Sequence, residues 1–585
     1  MPRIAIVKKE RCKGGVDCPY ICQSACPVNR SGKDCIMIDD STKKIIIDEQ
    51  LCIGCGICPK KCPYEAIEII KLPEELKKPP VHKYGRNGFH LYNLPIPIFG
   101  KVVGLVGRNG IGKSTALKIL SGMLKPNLGK EEEAGYDKII DFFKGSEAQT
   151  FFEKLRDDKI RVAYKPQAVD LMSKQFSGKV RELLENVDEK KQLAEIAEKL
   201  DISDILDNKI SEVSGGELQR IAIAATVLKK ANFYVFDEPT SYLDIKQRIK
   251  VSKFIKSLAD AETAVMVVEH DLIILDYIAD LINIVYGKEG CYGIISLPKS
   301  VKNGINVYLE GYLKEENVRF RDKKIVFMAK PPADIKKEAT LISWADIQKK
   351  QGRFELSSEE GDIKKPEVLG VVGENGIGKT TFVKMLAGEI KTDSGSVDKE
   401  VKVSYKSQYI NSESDELVMS FLNEAVSKYE VQLIRPLEIK PLLMKKINQL
   451  SGGELQRVAI AEALSKDAEL FLLDEPSAYL DVEQRLIVSK VIKDIMESKQ
   501  ASCLVVDHDL VFIDYLSERL MVFDGKPAIK GIAKGPFTMQ EGMNIFLKDL
   551  DITMRRDAET LRPRINKPGS QMDTKQKSEN KYYYV

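Results

Sequence analysis

Two stretches of this 585-residue chain are near copies of each other: "KVVGLVGRNGIGKST" at 101 to 115 and "EVLGVVGENGIGKTT" at 367 to 381. Any fold must therefore build the same unit twice, and the chain beyond residue 100 is best read in pairs. Each stretch is a run of small and branched apolar residues, predicting a β-strand, that enters G-x-x-x-x-G-K-[ST] with a helix following. In that pattern the glycines (Gly107, Gly110 and Gly112; Gly373, Gly376 and Gly378) allow backbone N–H groups, including those at Asn109 and Asn375, to close around phosphate oxygens. Lys113 and Lys379 then reach the terminal phosphates, Ser114 and Thr380 offer hydroxyls to magnesium, and Thr115 and Thr381 complete the loops.

The repeat continues. "SGGELQR" at 214 to 220 returns at 451 to 457, and "YVFDEPTSYLD" (234 to 244) returns as "LFLLDEPSAYLD" (470 to 481). The second pair reads as buried strands ending in Asp-Glu, and a parallel-sheet strand delivers its last side chains to the sheet edge where the phosphate loop lies. Asp237 and Asp474 are expected to hold magnesium, and Glu238 and Glu475 to polarise the attacking water. "MVVEHDL" and "LVVDHDL" place His270 and His508 at equivalent points, although the whole chain has only 4 histidines. A buried structural histidine is the bland alternative; a group sensing the terminal phosphate is the sharper one.

This ordered set resembles the ATP-binding-cassette ATPases. The resemblance covers about four-fifths of the chain and implies an α/β fold with two P-loop ATPase domains arranged head to tail. It also implies that Gln167 in "YKPQ" and Gln408 in "YKSQ" approach magnesium and the nucleotide. The signature residues of one copy, Ser214 and Gly216, would cover nucleotide held by Lys379, and Ser451 and Gly453 would cover that held by Lys113. The first signature reads "VSGGE" where the second reads "LSGGE". Aromatic residues near the start of each copy, Phe89 and Phe354, with Tyr84 as a second candidate, are expected either to stack on adenine or to belong to the core.

The spacing between copies is uneven. Lys113 and Gln167 are 54 residues apart while Lys379 and Gln408 are 29 apart, so copy one carries 25 more residues there. They fall within about 125 to 161, where helical spacing breaks at Gly145 and resumes, predicting a helix-loop-helix that is either a tolerated insertion or a contact arm.

Of the 11 cysteines, only Cys291 and Cys503 lie beyond residue 63, which marks a small separate module at the front. A disulfide framework and a zinc site are the alternatives, but the compact "CIGCGICPKKCP" run, Cys52 to Pro63, has the spacing that wraps a [4Fe–4S] cluster. In two-cluster ferredoxins the fourth cysteine of each run serves the other cluster. That crossing assigns Cys12, Cys18, Cys22 and Cys62 to one cluster and Cys26, Cys52, Cys55 and Cys58 to the second, leaving Cys35 unassigned. The first run departs from the usual spacing. A module this small seldom holds together by apolar burial alone, so the clusters would double as staples.

Hydrophobic residues make up 43% and charged residues 30% of the chain, the balance of a globular protein, and a net charge of +3 dictates no nucleic-acid or membrane partner. The most apolar stretch, 264 to 286, is interrupted by Glu269, His270, Asp271, Asp276 and Asp280, so no membrane span is expected. The amino terminus has no apolar signal core, and free thiols suit the cytoplasm.

A double-cluster ferredoxin-like α+β module, two cassettes and no span together resemble the RNase L inhibitor family of ribosome recycling factors. "HKYGRNGF" at 82 to 89 and "RRDAETLRPRINK" at 555 to 567 support the resemblance. What it implies is a monomer with an internal pseudo-dimer, organised as an iron–sulfur domain (1–75), a first cassette (76–295), a hinge (296–340), a second cassette (341–545) and a C-terminal hinge segment with tail (546–585). It further implies a ribosome partner, contacted chiefly on the small subunit and its RNA beside a class-one release factor or its rescue paralogue. ATP-driven closure would then move the iron–sulfur module as a lever and split the subunits. An ATP-gated electron carrier and a scaffold for ribosome assembly or initiation are the rival readings. Residues 555 to 585 hold eight Lys or Arg against four Asp or Glu, and the polar end of the chain is expected to fray.

Overall fold

The computed structural model describes residues 3–15, 17–49, 51–71, 79–169, 172, 174, 176–322, 324–327, 339–398, 401–408 and 413–583. The expected boundary at 75/76 and part of the hinge lie outside the described residues.

The duplication is visible in the two large sheets. In the first, Val162–Lys165, Phe233–Asp237, Ala264–Val268, Val102–Val106 and Leu281–Lys288 run parallel in that order. In the second, Val403–Lys406, Leu470–Asp474, Ser502–Val506, Val368–Val372 and Arg519–Lys526 repeat the order. The inner strands are buried along their whole length, as strands covered on both faces must be, which is why they read as unbroken apolar runs. Both acidic strands and both phosphate loops thus end at the same edge of their sheets.

The copies differ at their margins. Copy two has a 13-residue strand, Ala339–Gln351, paired with Phe354–Ser358, Gly361–Lys365 and Ser394–Asp398. Copy one carries its extra residues as helices Tyr136–Phe142 and Glu147–Arg156, turning through Gly145 at φ 80°. Their inner face is not free: Ile139, Phe151 and Phe152 are buried, and Phe151 meets Phe233 of the sheet edge-on at 6.0 Å. The segment expected as a hinge from 296 begins inside the first cassette, because Lys299–Ser300 adds to its sheet and helix Val301–Glu310 packs beside it.

The front module is built from two antiparallel pairs, Arg3–Val7 with Ile67–Lys71 and Ile36–Ile38 with Ile45–Ile47. Asn87 of the first cassette joins it to the rest. Its amide donates to Ala5 O (3.0 Å) and Ile47 O (2.9 Å), its side-chain oxygen accepts from Ile47 N (2.8 Å), and its carbonyl accepts from Val7 N (3.0 Å). Glu68 of the module is gripped by Lys8 and by Lys288 of the cassette, both at 2.6 Å.

As far as Tyr583 the C-terminal segment is ordered, contrary to the frayed tail expected from its polar composition. Met554–Arg556 pairs with Pro563–Ile565, helix Gln571–Ser578 follows, and Tyr583 is buried. Ile552, Met554, Ile565 and Tyr583 join the main apolar core, and polar partners add to it: Thr553 donates to Asp573 (2.7 Å), and Gln576 donates to Met554 O (3.0 Å). Arg562 and Arg564 turn inward onto Asp276 of the first cassette, and Arg556 onto Asp514. Three of the segment's cations are thereby taken from any external phosphate, and its exposed basic groups are Lys567, Lys575 and Lys581.

Candidate functional site

Each phosphate loop leads from its strand into a helix starting at the loop lysine, Lys113–Leu120 or Lys379–Leu386. Gly112 (φ 95°) and Gly378 (φ 94°) take the left-handed conformation at the turn, and a Cβ there would collide with Phe89 or Phe354 at under 3.0 Å. Phe89 and Phe354 therefore pack against the turns of their loops in equivalent positions, and both residues remain partly exposed. Tyr84 is the exposed aromatic, with its hydroxyl 3.3 Å from Thr115 Oγ1. In copy two the position five residues before Phe354 is Lys349, so no second exposed ring stands there.

Lys113 Nζ donates to the carbonyls of Gly107 (2.8 Å) and Arg108 (2.6 Å), and Lys379 Nζ donates to those of Gly373 (2.9 Å) and Glu374 (2.5 Å). Beside them Thr380 Oγ1 donates to Asp474 at 2.7 Å, and Ser114 bonds Asp237. A hydroxyl and a carboxylate thus meet where magnesium would be held.

Next along the strands, Glu238 and Glu475 share a backbone φ of 47°, a left-handed conformation that costs a non-glycine residue on the order of 1 kcal/mol or more and recurs at functional sites. Gln167 and Gln408 each donate to these carboxylates at 2.8 Å, His270 Nε2 lies 3.1 Å from Glu238, and His508 Nε2 lies 3.6 Å from Glu475. Burial acts to raise both glutamates, but His270 with Lys113 and His508 with Lys379 overcome it and hold each at about 2. Both are therefore ionised near neutrality and able to polarise water.

Two supporting pairs escaped the sequence reading. Gln219 and Gln456, inside the repeated "SGGELQR", donate to the carbonyls of Glu238 (2.6 Å) and Glu475 (2.7 Å). Lys165 and Lys406 are buried and donate to Asp237 O (3.0 Å) and Asp474 O (2.7 Å). Their identical recurrence two positions before Gln167 and Gln408 was the available signal. These four side chains hold the strained turns that carry Glu238 and Glu475.

The copies meet across the two loops. Asn109 N donates to Asp481 of copy two and Asn375 N donates to Asp244 of copy one, both at 3.1 Å, and Tyr242 and Tyr479 meet edge to face at 6.3 Å between them. Burial pushes Lys379 down to about 8 against Glu475, Asp244 and Asp474, so the opposite copy's Asp244 already acts on the loop lysine. Ser214 and Ser451 cap their helices by accepting from the N–H of Glu217 and Glu454.

In the front module, a cavity is lined by Cys26, Cys35, Cys52, Cys55 and Cys58 with Val28, Ile36, Ile47 and Ile69. Gly54 and Gly56, both left-handed, let the loop wrap it. Burial pushes Cys22 up to about 11, with Cys62, Cys12 and Cys18 as its thiol neighbours; burial pushes Cys58 up to about 12, with Cys52, Cys55 and Cys26 foremost among its own. All-sulfur donors ringing an apolar cavity fit an iron–sulfur cluster. Cys35, unassigned from sequence, shares the cavity wall and is buried.

Comparison with known proteins places these features. The ABC transporter family matches residues 98–241 and 356–478, and the 4Fe-4S binding domain matches residues 45–68. ABC transporter E family member 1 of Arabidopsis thaliana is 45% identical over 599 residues, covering 100% of this chain and 99% of its own length. A structure described as ribosome-bound archaeal Pelota and ABCE1 matches with a TM-score of 0.93 at 50% identity, covering 100% of this chain and 99% of the other. A crystal structure of archaeal ribosome recycling factor aABCE1 with ribosomal stalk protein aP1 matches at 0.83 and 50%, covering 88% of this chain and 100% of the other. Among the described residues no helix is long and apolar enough to cross a membrane.

Proposed function

Because the chain belongs to the RNase L inhibitor and ABC transporter E family of twin-cassette ATPases, we propose that it hydrolyses ATP in the cytoplasm to split ribosomes into subunits after termination or rescue. It binds iron–sulfur and MgATP. The observation that carries the reading is reciprocal closure: each phosphate loop takes a carboxylate from the other copy at 3.1 Å, so neither site is complete alone.

ATP held by Lys113 is covered by Ser451 and Gly453, and ATP held by Lys379 by Ser214 and Gly216. Ser114 or Thr380 with Asp237 or Asp474, approached by Gln167 or Gln408, would hold magnesium, which would supply positive charge beside the phosphates. Glu238 and Glu475, already ionised, orient the attacking water, while His270 and His508 bridge each carboxylate to the terminal phosphate. Nucleotide that contacts both copies binds the closed form better, and a few kcal/mol of such difference suffices to shift the equilibrium. Tyr84 supplies the adenine stack in copy one.

Cys12, Cys18, Cys22 and Cys62 hold one [4Fe–4S] cluster and Cys26, Cys52, Cys55 and Cys58 a second. Holding the clusters, these cysteines would tie the module's short strands and loops into a stiff body. Stiffness lets the front module press on a ribosomal subunit, beside a release factor or its rescue paralogue, when the cassettes close.

Sedimentation of ribosomes through sucrose tests the function. Free subunits are expected only when the chain, ATP and a release factor are all present, and not with the Glu238→Gln/Glu475→Gln chain under multiple-turnover conditions. Ribosomes that stay whole with every component present would refute it.

A further inference from the structure

The motifs that meet between the copies are the same on both sides. Asp481 on Asn109 and Asp244 on Asn375 have equal geometry, and the signature helices begin with the same residues. Nothing in this symmetric part distinguishes a copy-one/copy-two contact from a contact between two first copies of different chains, or two second copies. Such wrong contacts are a real hazard, because the first copy leaves the ribosome and folds before the second exists.

Two positions break the symmetry by charge. Five residues before the loop lysine stands Arg108 in copy one and Glu374 in copy two; two residues after the bridging aspartate stands Lys246 in copy one and Glu483 in copy two. Across the interface Lys246 Nζ lies 2.7 Å from Glu374, and Arg108 lies 3.6 Å from Glu483 and 3.4 Å from Glu438. Each bridge thus has the polarity opposite to its symmetry mate.

The surroundings reinforce that polarity. Arg321, just after the first cassette and 8% exposed, also contacts Glu483 at 3.3 Å, so copy one presents a cationic socket to Glu483. Glu374, Asp549 and Asp524 of copy two all act on Lys246, which therefore sits in an anionic one.

We infer that these swapped bridges are a pairing key that admits copy one against copy two and rejects copy one against copy one or copy two against copy two. In the first wrong pairing Arg108 would face Lys246, and in the second Glu374 would face Glu483. Partly exposed pairs add little affinity, but like charges brought together at an interface penalise the wrong partner, which is how specificity is gained without tighter binding. The key selects the partner surface; the phosphate loops and carboxylates do the chemistry.

The inference rests on the reading that nucleotide draws the two copies together, and one experiment separates the two. The full-length chain carries a fluorophore on each cassette, and closure with magnesium and a non-hydrolysable ATP analogue is followed by energy transfer while mass photometry reports the number of chains. The native chain is expected to close as a monomer. Lys246→Glu places a carboxylate against Glu374 and makes copy one complementary to itself through Arg108. It should require about fivefold more nucleotide to close and should form nucleotide-dependent two-chain species. Lys246→Glu/Glu374→Lys should close at the native concentration again. Closure of the Lys246→Glu chain at the native concentration, its remaining monomeric, or failure of the double variant to recover would each overturn the key. A native chain that never closes would bring down the closure reading, and the key with it.

Discussion

Glu269 accepts both the backbone N–H (3.0 Å) and the hydroxyl (2.8 Å) of Thr240, one residue before His270 and with no exposed surface to speak of. Burial pushes its carboxyl up to about 7, with the Thr240 hydroxyl opposing and the nearby Glu238 adding to the rise. An acid raised on folding favours the protonated native state, so its stabilising effect is complete below the unfolded value near 4.5 and is lost as pH climbs through about 7. Glu269→Gln, which keeps an acceptor for Thr240 and carries no charge, should therefore raise the thermal midpoint of the first cassette at pH 8 and change it little at pH 5. The expected gain is about 2–3 kcal/mol at the higher pH, read by calorimetry; equal shifts at both pH values would contradict the assignment. Motif residues such as Lys113, Asp237 and Glu238 were legible in the sequence because their chemistry fixes both type and spacing. The state of Glu269 was not, because it depends on how much of the fold closes over it. Phe89 and Phe354 illustrate the same limit: their similar spacing from the lysines was readable, but only the glycine contacts show that they pack against the loop turns.

At the scale of elements, the hairpin Met554–Arg556 with Pro563–Ile565 ties the end of copy two to helix Leu272–Ile278, which follows His270 of copy one. Arg562, fully buried, contacts Asp276 at 3.1 Å, and Arg564 grips the same carboxylate through two nitrogens at 2.6 and 2.9 Å. Removing one side of a buried ion pair leaves the other charge unpaired, so Asp276→Ala should cost about 3–5 kcal/mol and release the hairpin. Hydrogen exchange should accelerate across 553–566, and Arg562→Met added to Asp276→Ala should recover part of the loss. Unchanged exchange in the single variant would show that the apolar contacts alone hold the hairpin. This element was only half legible. The helices of the insertion could be read from their apolar spacing, which is local. The tail's order rests on a few scattered apolar residues, Ile552, Met554, Ile565 and Tyr583, and on Asp573 finding Thr553 and Gln576 finding Met554, contacts that leave no periodic trace in a polar stretch and so resemble a disordered composition.

For the whole molecule, the joint to test is the one between the front module and the first cassette, through which closure would pass if the module works as a lever. One side chain, Asn87, reaches both sheets of the module across that joint. Asn87 sits at φ 56°, a left-handed conformation that asparagine tolerates, and is 2% exposed. Its amide satisfies one backbone group on Arg3–Val7 and two at Ile47, thereby linking both sheets of the module to the cassette. Around it Lys83 reaches Glu49 at 3.1 Å, and Ile6 and Ile70 merge with the cassette core. Asn87→Ala would strand buried partners on both sheets and add backbone strain, a loss of about 2–4 kcal/mol concentrated at the joint. Both nucleotide sites lie elsewhere, so ATP turnover should persist while the amide of Ile47 loses its protection from exchange. If the module works as a lever, the same variant should split ribosomes more slowly in proportion to that loosening, because motion of the cassettes would be absorbed at the joint. Native splitting rates with a demonstrably loosened joint would mean that closure reaches the ribosome by another route.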